Sequence, residues 1–570
     1  MPSPDSAIEA VLEYHGRTKH HLHRYAASPG YLDWVTQPNP FRTFDGADRV
    51  ELPLLADQPT TGCSDLYRPG AAPLVPLSRE GVAILFELSL GLSAWKEYRG
   101  NRWALRCNPS SGNLHPTEGY AILPAMPDLA AGVYHYDSRE HALERRCALH
   151  GEAARQLVAA LPSESCLVGL SSIHWREAWK YGERAFRYCQ HDIGHAIAAV
   201  RYAAAALGWP ARVVADAPDS TIAAVLGLVH PDSFSRVAEQ DREHPAVLLL
   251  IGPCDGSGRE AKAARPDLSA LQAALDAGVW TGQANVLSPA HVPWPAIDVA
   301  AEATWREESA GTTQHNGAVT SAGQAALWPP PLAGPAQIGA VRLIKQRRSA
   351  QAFDGVTAME ATRFYAMLDR LLPRPGVPPW DVWPWPAHLH CTIFVHRVQG
   401  VSPGLYLLER NPAIHERLRA ALRPDFAWTR PESCPASLPL FVLAAGDFQE
   451  LAQAVSCHQE IAGDSAFSLG MIADFADSIR TAGAWWYRRL FWEAGLLGQV
   501  LYLEAEAAGL RGTGIGCFFD DAVHDLLGLT GERFQSLYHF TVGGPVDDPR
   551  LTTLPPYFHL DATRRGGDRA

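Results

Sequence analysis

The amino-acid sequence predicts an α+β fold in which one domain has been duplicated. The chain of 570 residues is too long for a single hydrophobic core, since domains usually contain about 100–200 residues. A polar stretch at residues 310–337, rich in Gly, Thr, Gln and Pro, has the composition of a linker. On either side of this stretch, the same weak signals of strand and helix follow one another in the same order.

The repeated signals are an apolar run, a Gly-x-Tyr segment, an alanine-rich helix ending at a glycine, a Leu-Gly-Leu triplet and a final strand running into Gly-Pro. In the first half they lie at residues 120–123, 132–134, 192–208, 226–228 and 252–253. In the second half they lie at residues 392–398, 404–406, 492–509, 527–529 and 544–545. The triplet follows the helix-ending glycine at the same spacing in both halves, which favours duplication over chance. We therefore expect domains at residues 1–270 and 338–570, joined by a linker at 271–337.

Two helix starts agree with this division. Thr357 and Glu360 have the spacing of a capping box ahead of a helix in the second half. Ser78 precedes an apolar run at the corresponding place in the first half. Both are also ordinary ways to begin a helix.

Composition and charge narrow the class of protein. The net charge of -12 at pH 7 disfavours nucleic acid and anionic membranes as partners, because both need a cationic surface. We see no signal peptide, and the most apolar stretches fall short of the roughly 20 residues of a membrane span. The ten cysteines contain no CxxC pair, which favours reduced thiols over a disulfide framework. We expect a cytoplasmic protein with no nucleic-acid or membrane partner.

Four histidines near the N-terminus raise the question of a metal site. They are His15, His20, His21 and His23. No carboxylate or cysteine accompanies them at a recognisable ligand spacing. We therefore assign no metal and interpret them as part of a solvated basic tract.

An Arg-Arg-Ser turn opens the second half, in the sequence LIKQRRSAQAF. Arg347 and Arg348 offer planar forks of hydrogen-bond donors and Ser349 adds a hydroxyl, a combination that suits a phosphate. A solvated basic turn would have the same sequence, so the motif alone leaves both interpretations open.

The first half contains a loop of polar and turn-forming residues, PSSGNLHPTE. Pro109 and Gly112 shape this loop, while Ser110, Ser111 and Asn113 present hydroxyl and amide groups within a short span. Such a loop can bind the polar edge and the ribityl hydroxyls of a flat heterocycle. An ordinary turn ahead of a strand is the alternative.

These motifs resemble those of the nitroreductase superfamily of flavoproteins. RRSAQAF is similar to the family's RRSxRxF signature, with Gln351 where arginine is usual. PSSGNLHPTE is similar to the PSxGxxxPxE form of the SagB/ThcOx branch, which includes azoline oxidases of thiazole- and oxazole-modified peptide biosynthesis. Near the C-terminus, GLRGTGIGCFFDDAVHDLLGL resembles the family's GLGxxPIGGF…LGL segment, with Gly514 in place of the usual proline.

The resemblance implies both a fold and a cofactor. Each half would be a mostly antiparallel sheet wrapped by helices, and the halves would pack as an intramolecular pseudo-dimer with FMN at their interface. Backbone N–H groups near Gly516 would hold the flavin N5, and the arginines would anchor its charged end. The cofactor-binding residues implied are Pro109, Ser110, Ser111, Asn113, Arg347, Arg348, Ser349, Gly514, Gly516 and Cys517.

A Lys-Tyr pair extends the resemblance to the SagB-like branch. Lys180 and Tyr181 are followed by Gly194 and His195, and in that branch such a pair is thought to transfer a proton. The resemblance implies that Lys180, or Tyr181 assisted by it, removes a proton while the flavin takes a hydride. An exposed lysine and a packing tyrosine on an amphipathic helix are the alternative.

The motifs are divided between the halves. The first half has PSSGN and Lys-Tyr, but around its helix cap it reads ALGWPARVVAD. The second half has RRS and GTGIGCF, but it reads VWPWPAHLHCTIF and AGAWWYRR in place of the other two motifs. Since homodimers of this family build each flavin site from both subunits, the two halves would form one complete and one incomplete site. We interpret YHGRTKHHLHRY as a decayed Arg-Arg-Ser counterpart, which would place Lys19 and Arg24 near the incomplete site.

The expected function is FMN-dependent oxidation of an azoline-type or related C–N or C–C bond in a peptide or small metabolite. Two alternatives stay open: an NAD(P)H-dependent nitro or quinone reductase, and a non-catalytic protein that binds or sequesters flavin. The retained Lys-Tyr pair argues against the second. The substrate, the redox partner and any further dimerisation of the pseudo-dimeric monomer are not determined by the sequence.

Overall fold

The computed structural model describes residues 3–55, 59–68, 70–252, 265–307, 328–333 and 338–560. The α-helices are Pro4–Arg17, Arg79–Ser89, Gly151–Ala160, His174–Tyr181, Ala185–Ala206, Asp219–Val225, Leu268–Asp276, Pro295–Ala303, Ala340–Gln346, Ala361–Arg370, His415–Ala421, Gln449–Val455, Glu460–Gly463, Ala476–Ala482, Trp486–Ala507 and Asp520–Leu527. The strands outside the two large sheets are Phe44–Asp45, Gln283–Ala284, Leu92–Tyr98, Asn101–Arg106, Met359–Glu360, Val398–Gln399 and Thr552–Leu554.

Each half contains one large antiparallel sheet, and six strands follow the same order in both. In the first half the order is Ala142–Ala148, Gly132–Asp137, Thr117–Leu123, Cys166–Ser172, His244–Ile251 and Ala211–Val213, with Val279–Trp280 and Asp48–Glu51 added beside the first of these strands. In the second half it is Leu440–Ala445, Gly404–Leu408, Leu389–Val395, Phe467–Asp474, Phe534–Gly543 and Arg511–Ile515. The predicted α+β fold of two tandem domains is confirmed.

One long helix from each half forms the contact between the halves. These are the first central helix, Ala185–Ala206, and the second central helix, Trp486–Ala507, each of 22 residues. They cross at a pair of glycines: a Cβ on Gly194 would lie 2.2 Å from the carbonyl oxygen of Trp492, and one on Gly495 would meet the first central helix as closely. Because no larger residue fits there, the two glycines allow the backbones to approach each other.

The glycine signals read from the sequence mark helix ends. Gly208 and Gly509 follow the central helices with positive φ, and so do Gly227 and Gly528 after two shorter helices. Such glycines end helices without the steric cost that a side chain would meet.

The two predicted helix starts have different outcomes. Ser78 caps its helix, because its hydroxyl accepts a hydrogen bond of 3.2 Å from the N–H of Gly81. The predicted capping box at Thr357 is wrong. The helix begins at Ala361, as the sequence predicted, but Thr357 does not cap it, because it donates its hydroxyl and N–H to Asp354 instead.

Residues 271–307, which the sequence assigned to the linker, fold against the first half. Val279–Trp280 pairs with Ala142–Ala148 at the edge of the first sheet, and helix Pro295–Ala303 packs on helix Pro4–Arg17. That helix buries Ile297, Ala300 and Ala303, so its apolar face needs the contact. The expected linker is therefore too long at its N-terminal side. Most of the polar stretch at 310–337 lies outside the described residues.

The C-terminal segment crosses from the second half to the first. Strand Thr552–Leu554 pairs with Leu92–Tyr98, and the hydroxyl of Tyr557 accepts a hydrogen bond of 2.9 Å from the N–H of Leu92. The halves are thus held together by an exchanged strand as well as by the central helices. In the described part of the chain, no helix is both long and apolar enough to cross a membrane.

Candidate functional site

The Arg-Arg-Ser turn begins where helix Ala340–Gln346 ends. Arg347 caps this helix and is buried, and its Nη2 donates a hydrogen bond of 2.9 Å to the carbonyl of Arg106 in the first half. Burial lowers the pKa of Arg347, and its Nε finds no hydrogen-bond partner among the described residues. An acceptor from a ligand would satisfy this buried donor.

Arg348 and Ser349 connect the turn to both halves. Arg348 donates through Nη2 to the carbonyl of Ser93 at 2.9 Å. Burial and the neighbouring positive charge lower the pKa of Arg348 to about 10. The Ser349 hydroxyl lies 2.9 Å from the hydroxyl of Tyr502, which also accepts a hydrogen bond of 3.0 Å from the N–H of Gly514. The turn and the glycine segment (residues 512–517) therefore share one tyrosine.

The PSSGN loop (residues 109–113) lies on two buried carboxyl groups of the first half. Ser111 donates to Asp192 through its N–H at 3.1 Å and its hydroxyl at 3.2 Å, and the Ser110 hydroxyl lies 3.4 Å from Glu177. Burial raises the pKa of Asp192 to about 7. Burial and the charge of Asp192 raise the pKa of Glu177 well above its usual value. The floor of the loop can therefore hold protons near neutral pH.

Asn113 stabilises this loop through hydrogen bonds within the first half. Its Nδ2 donates a hydrogen bond of 2.8 Å to the carbonyl of Ala104, and its Oδ1 lies 3.0 Å from Nε2 of His115. Pro109 is buried at the start of the loop. Both polar ends of Asn113 are thus engaged within the first half, so its contribution to binding would be to hold the shape of the loop.

Lys180 and Tyr181 extend over the glycine of the PSSGN loop from the end of helix His174–Tyr181. A Cβ on Gly112 would lie 2.7 Å from the Tyr181 hydroxyl and 3.1 Å from Lys180 Nζ. Burial, together with the charge of Glu177, raises the pKa of Tyr181 well above its usual value. The tyrosine therefore keeps its proton at neutral pH and can donate a hydrogen bond.

The glycine segment passes close to two tyrosines. A Cβ on Gly514 would lie 1.9 Å from the hydroxyl of Tyr538, and a Cβ on Gly516 would lie 2.2 Å from the ring of Tyr188. These approaches exclude any side chain at either glycine without a shift of the tyrosines. Cys517 follows directly and is partly exposed.

Aromatic and histidine side chains lie between the turn, the loop and the glycine segment. They are Tyr188, His191 and His195 from the first central helix, Tyr502 from the second and Tyr538 from strand Phe534–Gly543. His191 stacks on Tyr538 with ring centroids 4.1 Å apart, and His195 Nε2 lies 3.2 Å from the Tyr538 hydroxyl. Burial and the charge of Arg347 lower the pKa of His195 to about 3, so this histidine is neutral at physiological pH.

Sequence reasoning singled out only His195 from this set. The signal that could have found the others is the spacing of Tyr188, His191 and His195, which places all three on one face of a helix. Glu177 and Lys180 are likewise one helical turn apart, and Asp192 had no local signal at all.

The N-terminal segment lies beside the glycine segment. His20 pairs with Phe519, and Lys19 forms an ion pair of 2.7 Å with Asp521. The expectation that Lys19 lies near the incomplete site is therefore wrong. The acidic first turn of helix Asp520–Leu527 attracts this basic segment, since carboxylates accept from both its backbone and its lysine.

The position that corresponds to the candidate site in the other interface between the halves is filled with tryptophan and arginine side chains. Helix Ala476–Ala482 precedes the second central helix but ends in Thr-Ala where the first half has Lys-Tyr. The buried guanidinium of Arg489 lies 3.8 Å from the ring centroid of Trp492 and 4.9 Å from that of Trp385. Trp385 in turn packs edge-to-face on Trp486 at 5.7 Å. The sequences that replace the two missing motifs thus pack on each other.

Comparisons with known proteins agree with the sequence motifs. Residues 405–544 match the Nitroreductase family. The Trifolitoxin-processing protein TfxB of Rhizobium leguminosarum bv. trifolii is 31% identical over 167 residues, which are 27% of this chain and 45% of that protein. The chain thus aligns with less than half of the length of this curated relative.

One solved structure shows the same fold over both halves. A crystal structure described as a candidate nitroreductase from Anabaena variabilis aligns over 94% of this chain and 99% of its own, with a TM-score of 0.66 and 21% identity. A second, from Ralstonia eutropha, covers 39% of this chain and 96% of its own, with a TM-score of 0.26 and 18% identity. The Anabaena match extends across both halves and so shows the tandem fold.

The second half matches the Nitroreductase family and the whole chain has the tandem fold. The comparisons therefore support the nitroreductase superfamily that the motifs predicted.

Proposed function

We propose that the chain is an FMN-dependent oxidoreductase of the SagB/ThcOx type, which dehydrogenates an azoline-type or related C–N or C–C bond in a peptide or small metabolite. The observation that carries this proposal is the meeting of motifs from both halves. Arg347 of the second half donates to Arg106, which lies just before the PSSGN loop of the first half. Lys180 and Tyr181 cover the glycine of that loop. The trifolitoxin-processing relative supports a substrate from natural-product processing.

The residues at this site fit an FMN. Arg347 Nε is buried without a partner among the described residues, so a polar atom of a ligand would satisfy it. Arg348 would hold the phosphate, and the N–H groups around Gly516 would face the flavin N5. A bound flavin supplies a two-electron acceptor at N5.

We assign proton transfer in the reaction to Lys180 and Tyr181. Lys180 Nζ would accept the proton that leaves the substrate as the hydride departs. Tyr181, whose phenol stays protonated, would donate a hydrogen bond that orients the substrate. The aromatic walls formed by Tyr188 and Tyr538 would exclude water from the reacting atoms.

The test begins with the flavin content of the purified protein. We expect FMN at one per chain, because the second interface is filled by Arg489 and Trp385. Anaerobic mixing with azoline-containing peptides should bleach the bound flavin, whereas NADPH alone should do so only slowly. Rapid reduction by NADPH without a response to azolines would favour the reductase alternative. Protein that neither contains nor takes up FMN would refute the proposal.

A further inference from the structure

Two cysteines lie side by side at the edge of the candidate site. Cys517 directly follows Gly516, and Cys457 lies in the turn after helix Gln449–Val455. Their Sγ atoms are 2.8 Å apart and both residues are partly exposed. A disulfide bond measures about 2.05 Å, so a shift of less than about 1 Å would allow the two sulfurs to bond.

The surroundings of the pair favour a reactive thiolate at Cys517. The hydrogen bond between the two sulfurs, with help from His20 and Arg184, lowers the pKa of Cys517. The same hydrogen bond raises the pKa of Cys457. His20 accepts a hydrogen bond of 3.0 Å at Nδ1 from the N–H of Ala26, which leaves Nε2 as the donor toward Cys517. A thiolate next to a protonated thiol is the arrangement that thiol–disulfide exchange requires.

The other cysteines of the described chain lack this arrangement. Six are buried: Cys63, Cys107, Cys147, Cys166, Cys189 and Cys391. Cys434 is partly exposed, but burial raises its pKa to about 11 and it has no cysteine beside it in the described residues. The described residues also contain no group of three or more side chains that could hold a metal ion. The pairing of Cys457 with Cys517 therefore favours redox chemistry over metal binding.

We propose that Cys457 and Cys517 form a redox-active dithiol–disulfide pair that exchanges two electrons with the cofactor bound beside the glycine segment. This inference rests on the proposed flavin function. The Cα of Cys517 is about 3.8 Å from that of Gly516, whose N–H is assigned to the flavin N5. The pair would make a small disulfide the oxidant of the enzyme, in place of O2 or NAD(P)+.

The electrons and atoms balance in two steps. In the first, the Cys517 thiolate attacks a small disulfide and releases one thiol. Cys457 then attacks the mixed disulfide, releases the second thiol and closes the Cys457–Cys517 bond. In the second step, that bond would accept two electrons and two protons, which a bound reduced flavin would supply, and Cys457 and Cys517 would return to thiols. The sum is the oxidation of the substrate by one disulfide, which becomes two thiols.

The experiment uses the flavin-loaded full chain after treatment with oxidised glutathione and removal of the excess. Peptide mapping by mass spectrometry should find Cys457 joined to Cys517. In an anaerobic titration, this protein should take up about twice as much dithionite as flavin alone requires, because the disulfide is a second two-electron couple. Thiol assay should count two new thiols at the end point. Cys457→Ser cannot close the bond and should instead keep glutathione joined to Cys517, which the same peptide mapping detects.

Two controls sharpen the comparison. Cys434→Ser removes the other partly exposed cysteine and should behave like the wild type. Cys457→Ala repeats the main variant with a different side chain, in case Cys457→Ser folds poorly. After removal of FMN, the disulfide should react with dithionite at least tenfold more slowly, because the flavin delivers its electrons.

The outcomes separate this inference from the proposed function. Absence of the joined peptide in the wild type, or dithionite uptake by the wild type that equals the flavin's share alone, would overturn the dithiol–disulfide pair. Equally fast reduction with and without FMN would overturn its coupling to the cofactor. If the protein binds no FMN, both the proposed function and the coupling of the cysteine pair to the cofactor are refuted. The joined peptide still reports whether the disulfide itself forms.

Discussion

Removal of the Arg348 guanidinium tests whether the Arg-Arg-Ser turn binds the cofactor. Arg348 uses three of its five N–H donors, two on Nη1 and one on Nη2, for carbonyls of the protein. The remaining two, on Nε and Nη2, are available to a phosphate. A hydrogen bond to a charged group contributes about 1.5–3 kcal/mol. Since about 1.4 kcal/mol is tenfold in affinity, Arg348→Ala should weaken FMN binding by roughly one to two orders of magnitude.

The assay is titration of flavin-free protein with FMN, followed by quenching of the flavin fluorescence. Arg342→Ala is the matched control, because Arg342 lies on the preceding helix, is exposed and, among the described residues, hydrogen-bonds through its side chain to Gln346 alone. Arg348→Lys keeps the charge but not the fork of donors and should give an intermediate affinity. If Arg348→Ala bound FMN as tightly as Arg342→Ala, the turn would not belong to the cofactor site.

Three further predictions concern other parts of the site. Lys180→Ala should keep its flavin but lose about 10²–10⁴-fold in turnover, as expected for a general base. Tyr181→Phe should lose less turnover. Release of FMN by Lys180→Ala, with unchanged activity per bound flavin, would contradict this assignment. Gly516→Ala should lower FMN content, since the new methyl group would meet the ring of Tyr188, and a flavin assay per chain measures the loss. The raised pKa of Asp192, about 7, means that its contribution to stability is fully present below its unfolded pKa and is lost as the pH rises through about 7. Urea unfolding between pH 5 and 8 should therefore show a fall in the free energy of unfolding that Asp192→Asn abolishes, and an unchanged pH profile in that variant would count against this assignment.

Much of the secondary structure could be predicted from the sequence because the signals for it are local. Alternating strands, the alanine-rich helices and the glycines after them are read over a few residues, and Gly208 and Gly509 lie where the sequence placed them. The first central helix begins earlier than predicted, at Ala185 rather than near Asp192. It is buried on every side, so its first turns lack the alternation of polar and apolar faces that marks a surface helix.

The parts that were missed depend on contacts between distant residues. The pairing of His20 with Phe519 joins the two ends of the chain, and no local pattern reports it. The same is true of Cys457 and Cys517, which form no CxxC motif because they approach each other only in the folded chain. Helix Pro295–Ala303 was assigned to the linker, yet its apolar face is buried against helix Pro4–Arg17.

The fusion of two domains in one chain explains how the site could become asymmetric. In both halves a carboxylate on the central helix accepts from a backbone N–H of the facing loop: Asp192 from Ser111 at 3.1 Å, and Glu493 from His388 at 3.0 Å. Only Glu493 is also paired with a buried arginine, Arg410, whereas burial leaves Asp192 with a pKa of about 7. A homodimer must place the same residues at both of its interfaces. A fused chain can keep the shared contact at both interfaces, neutralise the charge at one with arginine and tryptophan, and retain a protonatable group beside the Lys-Tyr pair at the other.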